Sequence, residues 1–196
     1  YAMYPKRDRR GVGLPYRECS ACRAPLEQVR DLFLNPHHMG KKDVSLTYAF
    51  DVILSERMAS MLHEQSVSGF DLRPVQNYGA QGAGTPQLYQ LQITSKLPPM
   101  LAPPTEFDLI HQCPICGSRS HFLKRTHQWE KIQYYEDTDV YYPETVTEVV
   151  QDFNHTAEWF GELPVMKPMN IISQRLFRLL RDAGIKHWKA VPVQLV

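Results

Sequence analysis

A chain of 196 residues, 43% hydrophobic and 22% charged, has the length and make-up of a globular protein with a sizeable core. A net charge of +1 supplies no overall pull toward nucleic acid or a membrane surface, and no run approaches the roughly 18 apolar residues of a membrane span. With no apolar signal segment, a cytoplasmic location is expected.

Met3 is the expected native start, which sets residues 1–2 aside. Residues 4 to 18 are basic and turn-rich (Lys6, Arg7, Arg9, Arg10, Arg17) and read as a solvated approach to the first cysteine pair. Pro25, Leu26, Val29, Leu32 and Phe33 suggest a short helix or turn, ended by Asn35-Pro36. From Val44 to Leu54 apolar residues alternate at period two, which predicts one strand. Ser55 follows as an N-cap, and Met58, Met61 and Leu62 line one face of a helix over 56–66. Phe70, Leu72 and Val75 predict a strand, residues 78–85 a glycine-rich loop, and Leu88 to Ile93 another strand. Pro98 to Pro104 crosses toward the second cysteine pair, and strands are expected at Phe122–Lys124 and Ile132–Tyr135.

The only cysteines fall as two Cys-x-x-Cys pairs, Cys19/Cys22 and Cys113/Cys116, with 90 residues between them. Two thiolates at that spacing sit on one tight turn, and a second pair completes a tetrahedral sphere, the way structural zinc is held. Gly117 suits the positive φ such a turn needs; Arg23 stands at the equivalent place in the first pair. Competing readings are a long-range disulfide, a redox Cys-x-x-Cys, and a catalytic zinc with His111 or His121 replacing a cysteine.

A repeat joins the two halves. Ile53-Leu54-Ser55-Glu56-Arg57-Met58 aligns with Ile171-Ile172-Ser173-Gln174-Arg175-Leu176 at an offset of 118, and the register runs on to Pro74-Val75-Gln76 and Pro192-Val193-Gln194. Both units read as strand end, serine cap, helix and strand. The expected fold is therefore α+β, with mixed and antiparallel sheets and a few amphipathic helices, in a single domain over 3–196. A zinc-ribbon-like element would be assembled from 13–24 and 107–124, with helix-strand units at 44–76 and 165–196.

Charge is polarised along the chain. The first 42 residues carry nine Lys/Arg against four acids, whereas Ile132 to Met166 holds eight acids and no Lys or Arg, interleaved with aromatics. An acidic, aromatic surface at Glu136, Asp137, Asp139, Tyr141, Tyr142 and Glu144 would suit a basic protein partner, since charges steer encounter and rings supply anchoring area. The bland alternative is a solvated face with some of these rings in the core.

The two cysteine pairs and the C-terminal unit together resemble the bacterial double-CxxCG-motif proteins. The matching pieces are Gly13-Leu14-Pro15 before Cys19-Ser20-Ala21-Cys22, the strand Leu88 to Ile93 before Cys113-Pro114-Ile115-Cys116-Gly117, and Ile171 to Leu176 with Ala183-Gly184-Ile185 after it. The resemblance implies a cytoplasmic immunity protein that binds and neutralises a cognate toxin domain, with zinc carried by Cys19, Cys22, Cys113 and Cys116. The chain departs from the pattern at Arg23, where the family has glycine, and in Trp129 to Tyr142, which matches nothing in it.

No enzyme motif stands out: there is no Gly-x-x-x-x-Gly-Lys loop and no His-Glu-x-x-His, and Glu158 and Glu162 read as helix charges rather than a dyad. Two other functions compete with the immunity reading. A zinc-ribbon nucleic-acid-binding or transcription-associated protein would use Lys6 to Arg17 and Lys124-Arg125, and a thiol oxidoreductase would use one cysteine pair.

Overall fold

The computed structural model describes residues 15–47, 51–77, 85–101, 107–123, 140–160, 167–186, 190 and 192–196. Among these residues the architecture is α+β: two α-helices and several short, mostly antiparallel sheets. The chain opens with a hairpin, β1 (Tyr16–Glu18) and β2 (Pro25–Gln28), whose turn carries the first cysteine pair. β3 (Phe33–Leu34) and a 3₁₀ turn at Pro36–His38 follow. The segment 25–34 thus holds two short strands joined by irregular chain at 29–32, not the helix or turn its apolar spacing suggested. Leu26, Val29 and Phe33 are exposed, while cross-strand pairing to Tyr16–Glu18 fixes the backbone as extended.

The long alternating run is also divided. β4 (Val44–Leu46) and β5 (Val52–Ser55) form an antiparallel hairpin. Its neck is closed by Thr47 and Asp51: Thr47 N–H donates to the Asp51 carbonyl, and the Thr47 hydroxyl both donates to the Asp51 carboxylate and accepts from Asp51 N–H. Then come α1 (Glu56–Glu64), β6 (Phe70–Pro74), β7 (Gln76–Asn77) and β8 (Leu88–Ile93). β8 inserts between β5 and β6, giving the sheet order β4-β5-β8-β6.

The second half repeats the order of cysteine hairpin, short strand, strand hairpin and helix, but not the sheet order. β9 (Phe107–Gln112) and β10 (Arg119–Leu123) are the hairpin around the second cysteine pair. β11 (Tyr141–Tyr142), a 3₁₀ turn at Glu144–Glu148, the hairpin β12 (Phe153–Phe160) and β13 (Lys167–Ile172), α2 (Gln174–Asp182) and β14 (Gln194–Leu195) complete it. Here the sheet order is β13-β12-β10-β9. The strands expected around Ile132–Tyr135 lie outside the described residues.

The duplication extends to individual hydrogen bonds. Ser55 and Ser173 each accept, through the side-chain hydroxyl, the N–H three residues on, from Met58 and Leu176. Both helices end in the same left-handed cap. Val67 N–H donates to Leu62 C=O and Ile185 N–H to Leu180 C=O, each at 3.0 Å, past Ser66 at φ 49° and Gly184 at φ 68°. An aspartate holds each strand-helix junction: Asp43 takes Ser55 and Arg57, and Asp152 takes Ser173 and Arg175. β3 pairs in parallel with β7 as β11 does with β14, through equivalent registers.

Burial follows the same symmetry. Alternate residues of the strand before each helix face different cores. Ile53 joins Leu32, Leu34 and Val75, while Ile171 joins Val140, Tyr142 and Val193. Leu54 and Ile172 turn to a core shared by both halves, with Met58, Leu62, Leu91, Phe153, Leu176, Leu180 and Ile185. Polar ties cross the same boundary. Asp152 also accepts from Ser68, and Arg175 reaches the carbonyls of Gln65 and Ser66 at the end of α1. Lys167 pairs with buried Asp51, which also accepts a hydrogen bond from the Tyr16 hydroxyl. Among the described residues no helix is long and apolar enough to cross a membrane.

Candidate metal centre

Each cysteine pair sits on a tight turn between two short antiparallel strands, and the two turns superpose bond for bond. Arg23 N–H donates to Cys19 C=O and Gly117 N–H to Cys113 C=O, both at 2.9 Å. Cys19 N–H then reaches Ala24 C=O, and Cys113 N–H reaches Ser118 C=O, again both at 2.9 Å. Closing the turn this way requires a left-handed residue after the second cysteine. Gly117 adopts it at φ 71° and Arg23, despite its side chain, at φ 64°. An exposed ion pair with Glu18 is Arg23's visible contact.

The hairpins bring four sulfurs together. Cys19 Sγ is 3.8 Å from Cys113 Sγ and Cys22 Sγ is 3.6 Å from Cys116 Sγ, and all four lie within 4.8 Å of one another. Sulfurs bonded at about 2.3 Å to one tetrahedral ion stand about 3.8 Å apart, so the set fits a single metal ion with no ligand missing. No pair is near the roughly 2.05 Å of a disulfide, and the four thiols are free. Cys19, Cys22 and Cys113 are buried, Cys116 half-buried, and Ala24 and Trp159 pack against the cluster. Among the described residues the donor set is all sulfur; the side chains of His111 and His121 lie outside them.

The thiols are not equally disposed to ionise. Cys116 is brought down to about 6 by the Ser118 hydroxyl and then by the Ser118 backbone N–H. The N–H groups of Cys22 and Ala21 lower Cys19, whereas burial pushes Cys22 up to about 11. Ser118 is the neighbour that composition and spacing did not single out. Its hydroxyl lies 3.1 Å from Cys116 Sγ and 3.7 Å from Cys22 Sγ, so it touches a sulfur from each hairpin. The equivalent position in the first hairpin is Ala24, which offers Cys22 its backbone N–H but has no side-chain donor. A hydroxyl directly after the Cys-x-x-Cys-Gly turn was the available signal.

The expected partner surface fares differently. Tyr142 is 0% exposed: strand alternation in β11 turns it into the core with Leu97, Met100, Val140, Val146 and Phe160, so it is a packing residue and not an anchor for a partner. Tyr141 is half-buried, and Glu144 is exposed at the start of its 3₁₀ turn. Glu136, Asp137 and Asp139 lie outside the described residues. Two further acids of that stretch are not surface charges either, since Asp152 is buried against Arg175 and half-buried Glu158 accepts Met100 N–H. No family model, curated protein or solved structure matches the chain.

Proposed function

We propose that this chain is a bacterial immunity protein that binds and neutralises a cognate toxin domain, and that its four thiolates hold one structural zinc. The observation that carries the reading is the closed sulfur tetrahedron formed between two quasi-identical turns. Four sulfurs leave a metal no open position for substrate or water, so the ion pins distant chain segments together instead of performing chemistry. Tetrahedral sulfur also suits iron, but zinc is the usual occupant of two Cys-x-x-Cys turns. A rigid scaffold of this kind is suited to presenting a surface, and the resemblance to double-CxxCG proteins supplies the kind of partner. Glu144, which is exposed, belongs to the surface proposed for it, together with Glu136, Asp137 and Asp139 of the same acidic stretch of sequence.

Metal analysis of the purified protein tests the first part. One zinc per chain, lost in Cys116→Ser, is the expected result, and iron in its place would overturn the zinc assignment. Co-expression with a toxin domain encoded beside this gene tests the second. Protection of the host together with a stable, salt-sensitive complex is expected, whereas neither protection nor complex would overturn the immunity reading.

A further inference from the structure

The duplication supplies an internal reference for what the fold demands of a helix. α1 and α2 have the same length, the same serine cap and the same left-handed ending. Their inward positions match, Met58 with Leu176 and Leu62 with Leu180. Their outward stripes do not. Glu56, Ser60 and His63 of α1 are replaced in α2 by Gln174, Arg178 and Arg181, and past the cap Ser68 is replaced by Lys186. With His63 neutral, Glu56, Arg57 and Glu64 give α1 a charge of −1, while Arg175, Arg178, Arg181 and Asp182 give α2 a charge of +2. Since α1 builds the same element without them, the added cations are not required by the fold.

Nor are they consumed by contacts among the described residues. Arg175 is committed to Asp152 and to the end of α1. Among the described residues Arg181 pairs with Asp182, and at 61% and 65% exposure such a pair holds little energy. Arg178 and Lys186 are exposed and have no ion-pair partner among the described residues. The helix dipole favours cations in the last turn by a few tenths of a kcal/mol to about 1, which accounts in part for Arg181 but not for Arg178 in mid-helix.

We propose that the outer face of α2, through Arg178, Arg181 and Lys186, docks an acidic patch on a protein partner. This rests on the reading of the chain as a binding protein and adds a surface to it. A protein patch fits better than nucleic acid. A duplex presents a charge every ~1.7 Å of axis, and its binding proteins typically neutralise ~6–10 phosphates. Here three cations stand on one nine-residue helix and its exit, with Asp182 among them and a net charge of +1 behind them.

The test uses the full chain and a fluorescent 20-residue poly-glutamate peptide, followed by anisotropy at low and at high salt. Wild type should bind at low salt, and R178E/R181E should weaken binding at least about tenfold while keeping the helical circular dichroism of the parent. The α1 variant E56Q/S60R/H63R should bind more peptide, because it copies the α2 face onto its twin. Equal peptide binding by wild type and R178E/R181E would overturn the proposal. So would tighter binding of a random 20-base-pair duplex that the same variant abolishes, which would make the face a nucleic-acid surface. A separate arm uses the toxin domain of the preceding section. If wild type and R178E/R181E bind that domain equally, this surface is wrong and the immunity reading stands. If wild type fails to bind it, the immunity reading fails and the peptide result alone decides the face.

Discussion

At the scale of single residues, the two cysteine turns are an experiment the chain has already performed on itself. Gly117 and Arg23 occupy the same left-handed position, and only the glycine does so without steric cost. Arg23→Gly should therefore relieve about 1 kcal/mol of strain, less what glycine loses through its freer unfolded chain, with no loss of metal. A rise of a degree or two in melting temperature, at unchanged metal content, is the expected result. The other asymmetry is Ser118 against Ala24. A hydroxyl directed at Cys116 and Cys22 supports charge on both sulfurs, and groups that hydrogen-bond to ligands commonly account for 10–100-fold in metal affinity. Competition with a chromogenic chelator should show Ser118→Ala weakening the site by about tenfold, whereas Ala24→Ser is expected to crowd a position that is only 1% exposed.

At the scale of elements, the joint between the halves depends on Gly69. It sits at φ 86° beside β6, and a Cβ there would overlap the carbonyl of Phe153, whose N–H bonds to the neighbouring Ser68 carbonyl. Both the conformation and the contact involve backbone, which cannot swing aside. Gly69→Ala should cost about 2–3 kcal/mol in urea unfolding, well beyond Gly117→Ala, where the added carbon meets open space. The repeat that creates this joint was legible where its signals are local: the serine caps, the inward apolar positions and the Pro-Val-Gln endings keep one offset of 118. The rest of it was hidden because connections differ in length. The cysteines repeat at 94, and β3 and β11 follow yet another offset, so no single alignment of the sequence with itself contains the whole unit. Leu26, Val29 and Phe33 misled for a different reason. They are exposed, so their spacing carries no information about which face is buried. Tyr142 misled through composition: among acids it looked like surface, but two-residue alternation in a strand only two residues long is settled by its partner strand and core, not by its own neighbours.

At the scale of the whole molecule, two titratable groups on β12 and its approach, half-buried His155 and buried Asp152, link the stability of the fold to pH. His155 is pushed down to about 4, first by burial and then by the charge of Lys167, against a hydrogen bond with Asn170. Asp152 is held at about 2, because the hydrogen bonds from Arg175, Ser173 and Ser68 N–H outweigh the burial that would raise it. The signs follow from which state takes the proton first. As pH falls from about 6.5 toward 4 the unfolded chain protonates its histidine while the folded chain keeps His155 neutral, so stability declines through that window and His155 has no further effect below it. The contribution of Asp152 is intact above about 3.8 and is lost only as pH drops toward 2. Metal ligands also take up protons in acid, which would blur the first step in wild type alone. A comparison removes that overlap, because replacing His155 leaves the sulfurs untouched. Urea midpoints of wild type and His155→Gln, measured from pH 7.5 to 4.5 with metal in excess, should run apart as the solution is acidified, with the variant losing less stability over the interval. Parallel curves would mean that His155 titrates alike in both states and is not the source of the acid sensitivity.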